Sequence, residues 1–212
     1  MNADIIRPGL YLCPTPIGNL RDITLRAIDV LGRADCILAE DTRRTRILLN
    51  HYQIEAPSLE SYHKYNEVSR HGEVLDRLRR GEVVALVSDA GSPGISDPGE
   101  RLVALCVREG IHVTALPGPT AFVPAVTVSG LSTAEIHFHG FLPRRASERE
   151  AWLKAHRAET GVHVLYESAR RLRTFIRDIT MAWGDDRRMA VVREISKMFE
   201  EVVRGTGADV LS

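Results

Sequence analysis

Three short segments concentrate the residue types that can move protons, hold charged groups or present bare backbone. "AEDTRRT" sets Glu40 and Asp41 directly behind the apolar run "CILA", so both carboxylates are expected at the carboxyl end of a strand, with Arg43 and Arg44 close behind. A carboxylate there can orient or deprotonate a hydroxyl, and an arginine fork can clasp a phosphate through two parallel hydrogen bonds. The same letters also read as a helix start in which Asp41 or Thr42 caps the first turn and the arginines are solvated. "HKYNE" brings His63, Asn66 and Glu67 within one short stretch. They can act as a base with its orienting groups, or as a loop whose Asn66 caps the following helix.

The third segment, "SDAGSPGISDPG" at residues 88–99, follows the apolar run "VVALV" and holds three glycines, two prolines and two aspartates. Glycine allows positive φ and close approach, and proline stiffens a loop before a ligand arrives. Phosphate loops read G-x-G-x-x-G or G-x-x-x-x-G-K-[ST], and "GSPGISDPG" has neither spacing and no following lysine. Asp89 and Asp97 suit a ligand bearing amino or hydroxyl groups better than a pyrophosphate. "PTPIGNL" and "LPGPT" are similar loops behind two other apolar runs. In an open parallel sheet, ligands collect beyond the carboxyl ends of the strands. The three loops are therefore expected to floor a binding cleft.

The elements that must position these loops follow from periodicity. Apolar runs "GLYLCP", "DCILAE", "EVVALVSD" and "IHVTALPG" alternate with amphipathic stretches "TLRAIDVLGRA", "TRRTRILLNHY", "VSRHGEVLDRLRRG" and "GERLVALCVREG". That alternation predicts a mainly parallel sheet covered by helices. Thr24 is placed to cap the first helix, and Gly81 and Gly110 fall where helices should stop. After "LPGPTAFVPAVTVSG" the pattern changes. "EIHFHGFLP", "VHVLYES", "RMAVVREI" and "KMFEEVVRG" read as strands, while "SEREAWLKAHRAE" and "ARRLRTFIRDITMAW" read as helices. The boundaries drawn are 1–118 and 119–212, with the short connection around Pro117 and Pro119 holding two α/β domains close, and the second domain expected to stop before its last elements.

Composition bounds the rest. The 212 residues carry zero formal net charge, so bulk charge does not single out a nucleic-acid partner. Only three of the 28 basic residues are lysines, and arginines cluster at "RRTR" and "RRASER". No apolar stretch approaches the roughly 20 residues of a membrane helix, and the N-terminus has no export pattern, so a cytoplasmic location is expected. Cys13, Cys36 and Cys106 are scattered within or beside apolar runs and read as buried thiols. His137 and His139 alternate on a strand, but with no third ligand in view they read as structural, and no metal is expected.

The segments "LYLCPTPIGNLRDITLRAI", "AEDTRRT", "HKYNE", "VALVSDAGSPGISDPG", "LPGPTA", "GFLP" and "YES" with its following "RL" together resemble the tetrapyrrole methylase superfamily, in the same order from Leu10 to about Gly205. Within it the chain is most similar to the branch that methylates the ribose 2′-hydroxyl of a cytidine in the decoding region of 16S ribosomal RNA. The corrin and sirohaem branches carry a G-x-G-D-P pattern where this chain has "PTPIGNL". The resemblance implies two α/β domains, a mainly parallel N-terminal sheet and a mixed C-terminal sheet, with S-adenosylmethionine in the cleft between them, usually in a homodimer.

By the same resemblance Pro14, Asp89, Ser92, Pro93, Gly94, Ile95, Pro117, Gly118, Pro119, Thr120 and Ala121 line the cofactor side, with Phe141, Leu142 and Tyr166 from the second domain. Glu40, Asp41, His63, Asn66 and Glu67 are the candidates for catalysis, the last three favouring substrate positioning, and the base itself is left open. Arg43, Arg44, Arg144, Arg145 and Arg193 are the candidates for contacting 16S rRNA in the assembled small subunit. Departures from the family pattern are Ser92 and Gly94, where relatives carry threonine and a bulkier residue, and "HKYNE" in place of an "HDHNE"-like segment. Two other readings are a methyltransferase acting on a porphyrinoid ring and a ribosome-binding module without catalysis.

Overall fold

The computed structural model describes residues 6–212. The chain divides into two compact units, Met1–Thr120 and Ala121–Ser212, each taken by itself below.

The first unit alternates strands and helices: β1 (Gly9–Leu12), α1 (Leu25–Arg33), β2 (Cys36–Ala39), α2 (Thr42–His51), β3 (Leu59–Ser61), α3 (Glu67–Arg79), β4 (Val83–Val87), α4 (Glu100–Arg108) and β5 (Val113–Ala115). All strand pairs are parallel, in the order β3-β2-β4-β1-β5. A strand covered on both faces needs an unbroken apolar run, and β4, "VVALV", is buried at every position. Its alternate residues serve opposite faces. Val83, Ala85 and Val87 join Ala27, Val30 and Leu31 of α1 and Leu48 and Leu49 of α2. Val84 and Leu86 join Val74, Leu75 and Leu78 of α3 and Leu102 and Cys106 of α4. Connections leaving β1 and β2 thus run on one face and that leaving β4 on the other, which puts changes of direction on both sides of β4. A ligand crevice forms at such a point.

Thr24 accepts a hydrogen bond from the Ala27 N–H, the expected cap of α1. Asn66 precedes α3 but makes no capping bond; its side chain is used elsewhere, as described below. The sheet edge β3, "LES", matches no apolar run and was not anticipated, because three half-buried residues carry too little periodicity. The three cysteines are free and buried, and burial pushes the Cys13 thiol up to about 12 and the Cys36 thiol to about 11.

The second unit contains α5 (Phe122–Val128), β6 (Ile136–Phe141), α6 (Ala146–Ala155), β7 (Val162–Tyr166), α7 (Ala169–Trp183), β8 (Met189–Arg193), β9 (Glu201–Gly205) and α8 (Gly207–Leu211). β6 and β7 pair in parallel, and β8 and β9 pair antiparallel. α8 is started by a Thr206 and Asp209 capping box. Arg149 has a side chain only 7% exposed; it is paired with Asp178 at 2.6 Å and donates to the carbonyls of Pro143 and Arg144. It is a structural tie within the "RRASER" cluster, not a surface charge.

One face of the β6 and β7 pair carries an imidazole stack. His137 lies opposite His163 in register, with ring centroids 5.0 Å apart, and His139 stacks on His163 at 5.2 Å. His139 Nε2 and His163 Nδ1 share a hydrogen bond of 3.0 Å. Trp152 of α6 and His156, which ends that helix, close over His139, and Trp183 of α7 lies 5.0 Å from His163. The third histidine that the spacing of His137 and His139 could not supply comes from another strand. Even so, no group of three or more His, Cys, Asp or Glu among the described residues is arranged to hold a metal ion.

Burial, followed by the neighbouring imidazoles, holds His139 and His163 below their ordinary value; Glu159 opposes the shift at both, and Arg187 adds to it at His163. The fold therefore prefers both rings neutral, while the unfolded chain takes up protons near pH 6.5. The stability these two rings contribute is fully present above pH 6.5 and is lost as pH falls below it toward the lower folded values. Both tryptophans of the chain touch this stack, so urea unfolding followed by tryptophan fluorescence at pH 7.5 and 5.0 measures the effect. A His139→Gln/His163→Gln variant is expected to lose much of the difference in midpoint; an unchanged difference would refute the assignment.

Candidate functional site

The carboxyl edge of the five-stranded sheet gathers the loops after β1, β4 and β5, and they are laced to one another by hydrogen bonds. Thr15 and Gly91 exchange backbone bonds of 2.9 and 2.8 Å, and the Thr15 hydroxyl donates to the Ser88 carbonyl at 2.9 Å. The Ser92 hydroxyl donates to the Pro119 carbonyl at 3.3 Å, so the hydroxyl this chain keeps at that position joins two of the loops. Two glycines are required by geometry. A Cβ on Gly118 would lie 2.7 Å from the Pro14 Cβ, and one on Gly99, at φ +134°, would lie 2.7 Å from Leu86 Cδ2. The loops are therefore tied to one another by the chain's own bonds, and Pro14 and Pro93 are themselves buried. Thr15 and Ser88 were absent from the sequence expectation; their single letters carry no signal until two strands are adjacent.

Beside these loops lies a negative field. Asp89 accepts from the Asp41 N–H at 3.0 Å and is ion-paired with Arg44 at 3.4 Å, which ties the loop after β4 to the start of α2. Asp97, half-buried, is pushed up to about 6 by burial and by the charges of Glu40 and Asp89. Glu40 follows β2 directly and forms no ion pair among the described residues. Such a group of carboxylates attracts a cation or an amino group and repels a phosphate.

Asp41 caps α2 through a bond of 2.9 Å from the Arg43 N–H, and its two oxygens take the Arg43 guanidinium at 3.0 and 2.7 Å. These bonds hold its carboxyl well below the usual range, so it is a poor proton acceptor. Of the two readings of Asp41, the structure shows the cap. The turn at residues 63–66 is tied equally firmly. The His63 N–H donates to Asn66 Oδ1 at 2.7 Å, and the His63 carbonyl receives the Asn66 and Glu67 N–H groups at 2.9 Å each. Asn66 Nδ2 donates to the Ser61 carbonyl at 3.1 Å. The Tyr65 N–H donates to His63 Nδ1 at 3.2 Å, so a neutral His63 carries its proton on Nε2. Behind the turn, fully buried Tyr62 meets His71 Nε2 through its hydroxyl at 3.0 Å, and Glu67 faces Arg101 at 4.0 Å.

In the second unit, Leu142 packs into the core with Leu153, Phe175 and Ile179, so its side chain is committed there. Phe141 is exposed and lies 5.5 Å from the Tyr166 ring. Arg145 pairs with Glu148 at 3.1 Å and Arg193 with Glu201 across the β8 and β9 hairpin. Arg144 is exposed.

A parallel sheet with rigid glycine and proline loops at its carboxyl edge, followed by a separate unit of mixed strand pairs, is the architecture of the class III methyltransferases. The chain belongs to the tetrapyrrole methylase family: the family model described as Tetrapyrrole (Corrin/Porphyrin) Methylases matches residues 9–211. A relative from Thermotoga maritima, named Ribosomal RNA small subunit methyltransferase I, is 47% identical over 203 residues, covering 96% of this chain and 90% of its own. One of the same name from Escherichia coli O157:H7 is 43% identical, covering 95% of this chain and 70% of its own. Among solved structures, a cobalt precorrin-4 methyltransferase of cobalamin biosynthesis superposes with a TM-score of 0.66 at 21% identity, covering 95% of this chain and 86% of that one. The uroporphyrin-III-C-methyltransferase from Thermus thermophilus gives 0.63 at 20%, covering 96% and 87%. At those identities the two structures speak for the fold alone. S-adenosylmethionine is the methyl donor of the family.

Proposed function

We propose that the protein transfers a methyl group from S-adenosylmethionine to the ribose 2′-hydroxyl of a cytidine in the decoding region of 16S rRNA. The observation that carries this reading is the 47% identity, over nearly the whole chain, to a relative named for small-subunit rRNA methylation. The site chemistry fits the donor: the carboxylates of Asp89, Asp97 and Glu40 complement a sulfonium, an amino group and ribose hydroxyls. Gly118 and the loop from Ser88 to Gly99 offer backbone groups at fixed positions. When bound, the cofactor supplies an electrophilic methyl group on positive sulfur. Phe141, Leu142 and Tyr166 keep the cofactor role that the family resemblance gives them, Leu142 through its backbone.

The chain's own residues then align and orient. Positioning donor and hydroxyl as near-attack partners can supply roughly 7 to 11 kcal/mol of the barrier. His63, with Nδ1 occupied by the Tyr65 N–H, has its Nε2–H as a donor, which suits it to hold an RNA oxygen rather than to take a proton. Asp97 and Glu40 are the carboxylates with acceptor capacity to spare, and a base adds about 10² to 10⁴-fold. Arg43 and Arg44, exposed and paired only with carboxylates at the surface, can exchange those partners for phosphates at little cost, since exposed pairs are worth about 0 to 1 kcal/mol. Arg144, Arg145 and Arg193 extend the same role. The reading includes a cytoplasmic homodimer acting on the assembled subunit.

Tritiated S-adenosylmethionine with assembled 30S subunits, free 16S RNA and uroporphyrinogen, followed by nucleoside analysis, tests this directly. Label is expected in one 2′-O-methylcytidine of the 30S subunit. Label in a base or in the porphyrinoid would exclude the ribose reaction, and cofactor binding without any label would leave a ribosome-binding module.

A further inference from the structure

Tyr65 is 94% exposed, the most exposed of the large hydrophobic side chains among the described residues. Its ring joins neither core cluster of the first unit, yet its backbone is held in a turn closed by the bonds from Asn66, Glu67 and Tyr65 to His63 and from His63 and Asn66 to their partners. A solvated aromatic on a mobile loop is unremarkable; one on a rigid turn has its position specified before anything binds. The ring stands 6.0 Å from the His63 imidazole. Between the two in sequence is Lys64, exposed and without an ion pair among the described residues.

From these placements we infer that Tyr65 is a stacking platform for a nucleobase of the RNA substrate, with Lys64 and His63 meeting the adjoining phosphate and sugar oxygens. A ring flanked by a cation and an N–H donor is the composition that single-stranded nucleic acid selects, because every base offers a π-face and every linkage a phosphate. The turn leaves the carboxyl end of β3, the same edge of the sheet as the loop after β4. Only β2 separates these strands, so their ends lie two strand spacings, roughly 10 Å, apart. A nucleoside whose base rests on Tyr65 can direct its ribose toward the carboxylates beyond β4 across that span. Duplex A-form RNA hides its base faces, so this arrangement selects an unstacked nucleotide. The sugar and methyl part of this assignment rests on the function proposed above; the stacking part does not.

The test separates the two. Binding of a fluorescein-labelled oligocytidine, and of the same oligonucleotide with abasic sites, is measured by anisotropy for the wild type, Tyr65→Phe and Tyr65→Ala, beside the KM for 30S subunits and the S-adenosylmethionine Kd. Stacking on an aromatic is worth about 1 to 3 kcal/mol per base. Tyr65→Ala should therefore weaken oligocytidine binding by about 5- to 150-fold and raise the 30S KM similarly, while Tyr65→Phe stays near wild type. Affinity for the abasic oligonucleotide, cofactor Kd and melting temperature should not move. Equal loss on the abasic oligonucleotide, no loss on oligocytidine, absence of wild-type binding to either, or a change of oligomeric state with RNA affinity unchanged would each overturn the assignment. Base-dependent binding through Tyr65 in a protein that labels no RNA would uphold the platform and defeat the methylation reading.

Discussion

Replacing Asp178 by alanine is expected to destabilise the protein by about 3 kcal/mol, the largest single effect among the charged residues. Removing one partner of a buried ion pair strands the other charge, at about 3 to 5 kcal/mol. Arg149 is that stranded charge, with a side chain 7% exposed against 30% for Asp178; this partial exposure puts the effect at the lower end of the range. The loss should also free the carbonyls of Pro143 and Arg144, since the guanidinium that holds them is positioned by Asp178 at 2.6 and 2.7 Å. Urea unfolding gives the number. An Arg149→Met/Asp178→Leu double variant should recover most of it, because apolar replacement removes the stranded charge. A loss below about 1 kcal/mol for Asp178→Ala would mean that water reaches Arg149 and the pair is a surface bridge.

The second large effect concerns the cofactor. Asp89→Ala removes the acceptor for the Asp41 N–H and the counter-ion of Arg44, and it thins the negative field shared with Asp97 and Glu40. Hydrogen bonds to charged groups are worth about 1.5 to 3 kcal/mol, so the S-adenosylmethionine Kd should rise by about 10- to 150-fold in calorimetry. Asp89→Asn keeps an oxygen for the Asp41 N–H but not the charge, and is expected to recover only part of the affinity. Wild-type affinity in the asparagine variant would show that the charge is not used. The ion pair also modifies a simple division of labour. Arg44 and Asp89 are read from the sequence as belonging to RNA and cofactor respectively, but they touch at 3.4 Å. Arg44→Ala is thus expected to change cofactor affinity as well, by no more than the few-fold that an exposed pair is worth.

What could be read in advance follows from how far each signal travels along the chain. The parallel sheet was legible because a strand buried on both faces must be apolar throughout, as "VVALV" is, and the helices because their apolar positions recur on one face. Thr24 was legible because a cap and its target lie three residues apart. The short edge strand β3 was not, and neither was the use of Asn66 Oδ1 to hold the His63 N–H in place of capping α3. Both depend on where the neighbouring strand delivers the chain.

The sequence by itself therefore determined the alternating architecture, the glycine and proline loops at the carboxyl edge of the sheet and, through the order of the motifs, the family. Those are properties of local pattern, where steric freedom and apolar periodicity act within a few residues. Only the tertiary structure decided which groups face one another. Thr15 closing on Gly91, Asp89 reaching Arg44, and His163 completing the stack begun by His137 and His139 all join residues more than twenty positions apart. Such pairs form only when the sheet order sets strands side by side. The raised pKa of Asp97 and the preferred neutrality of His139 follow from that order, because desolvation and charge act through space rather than along the chain.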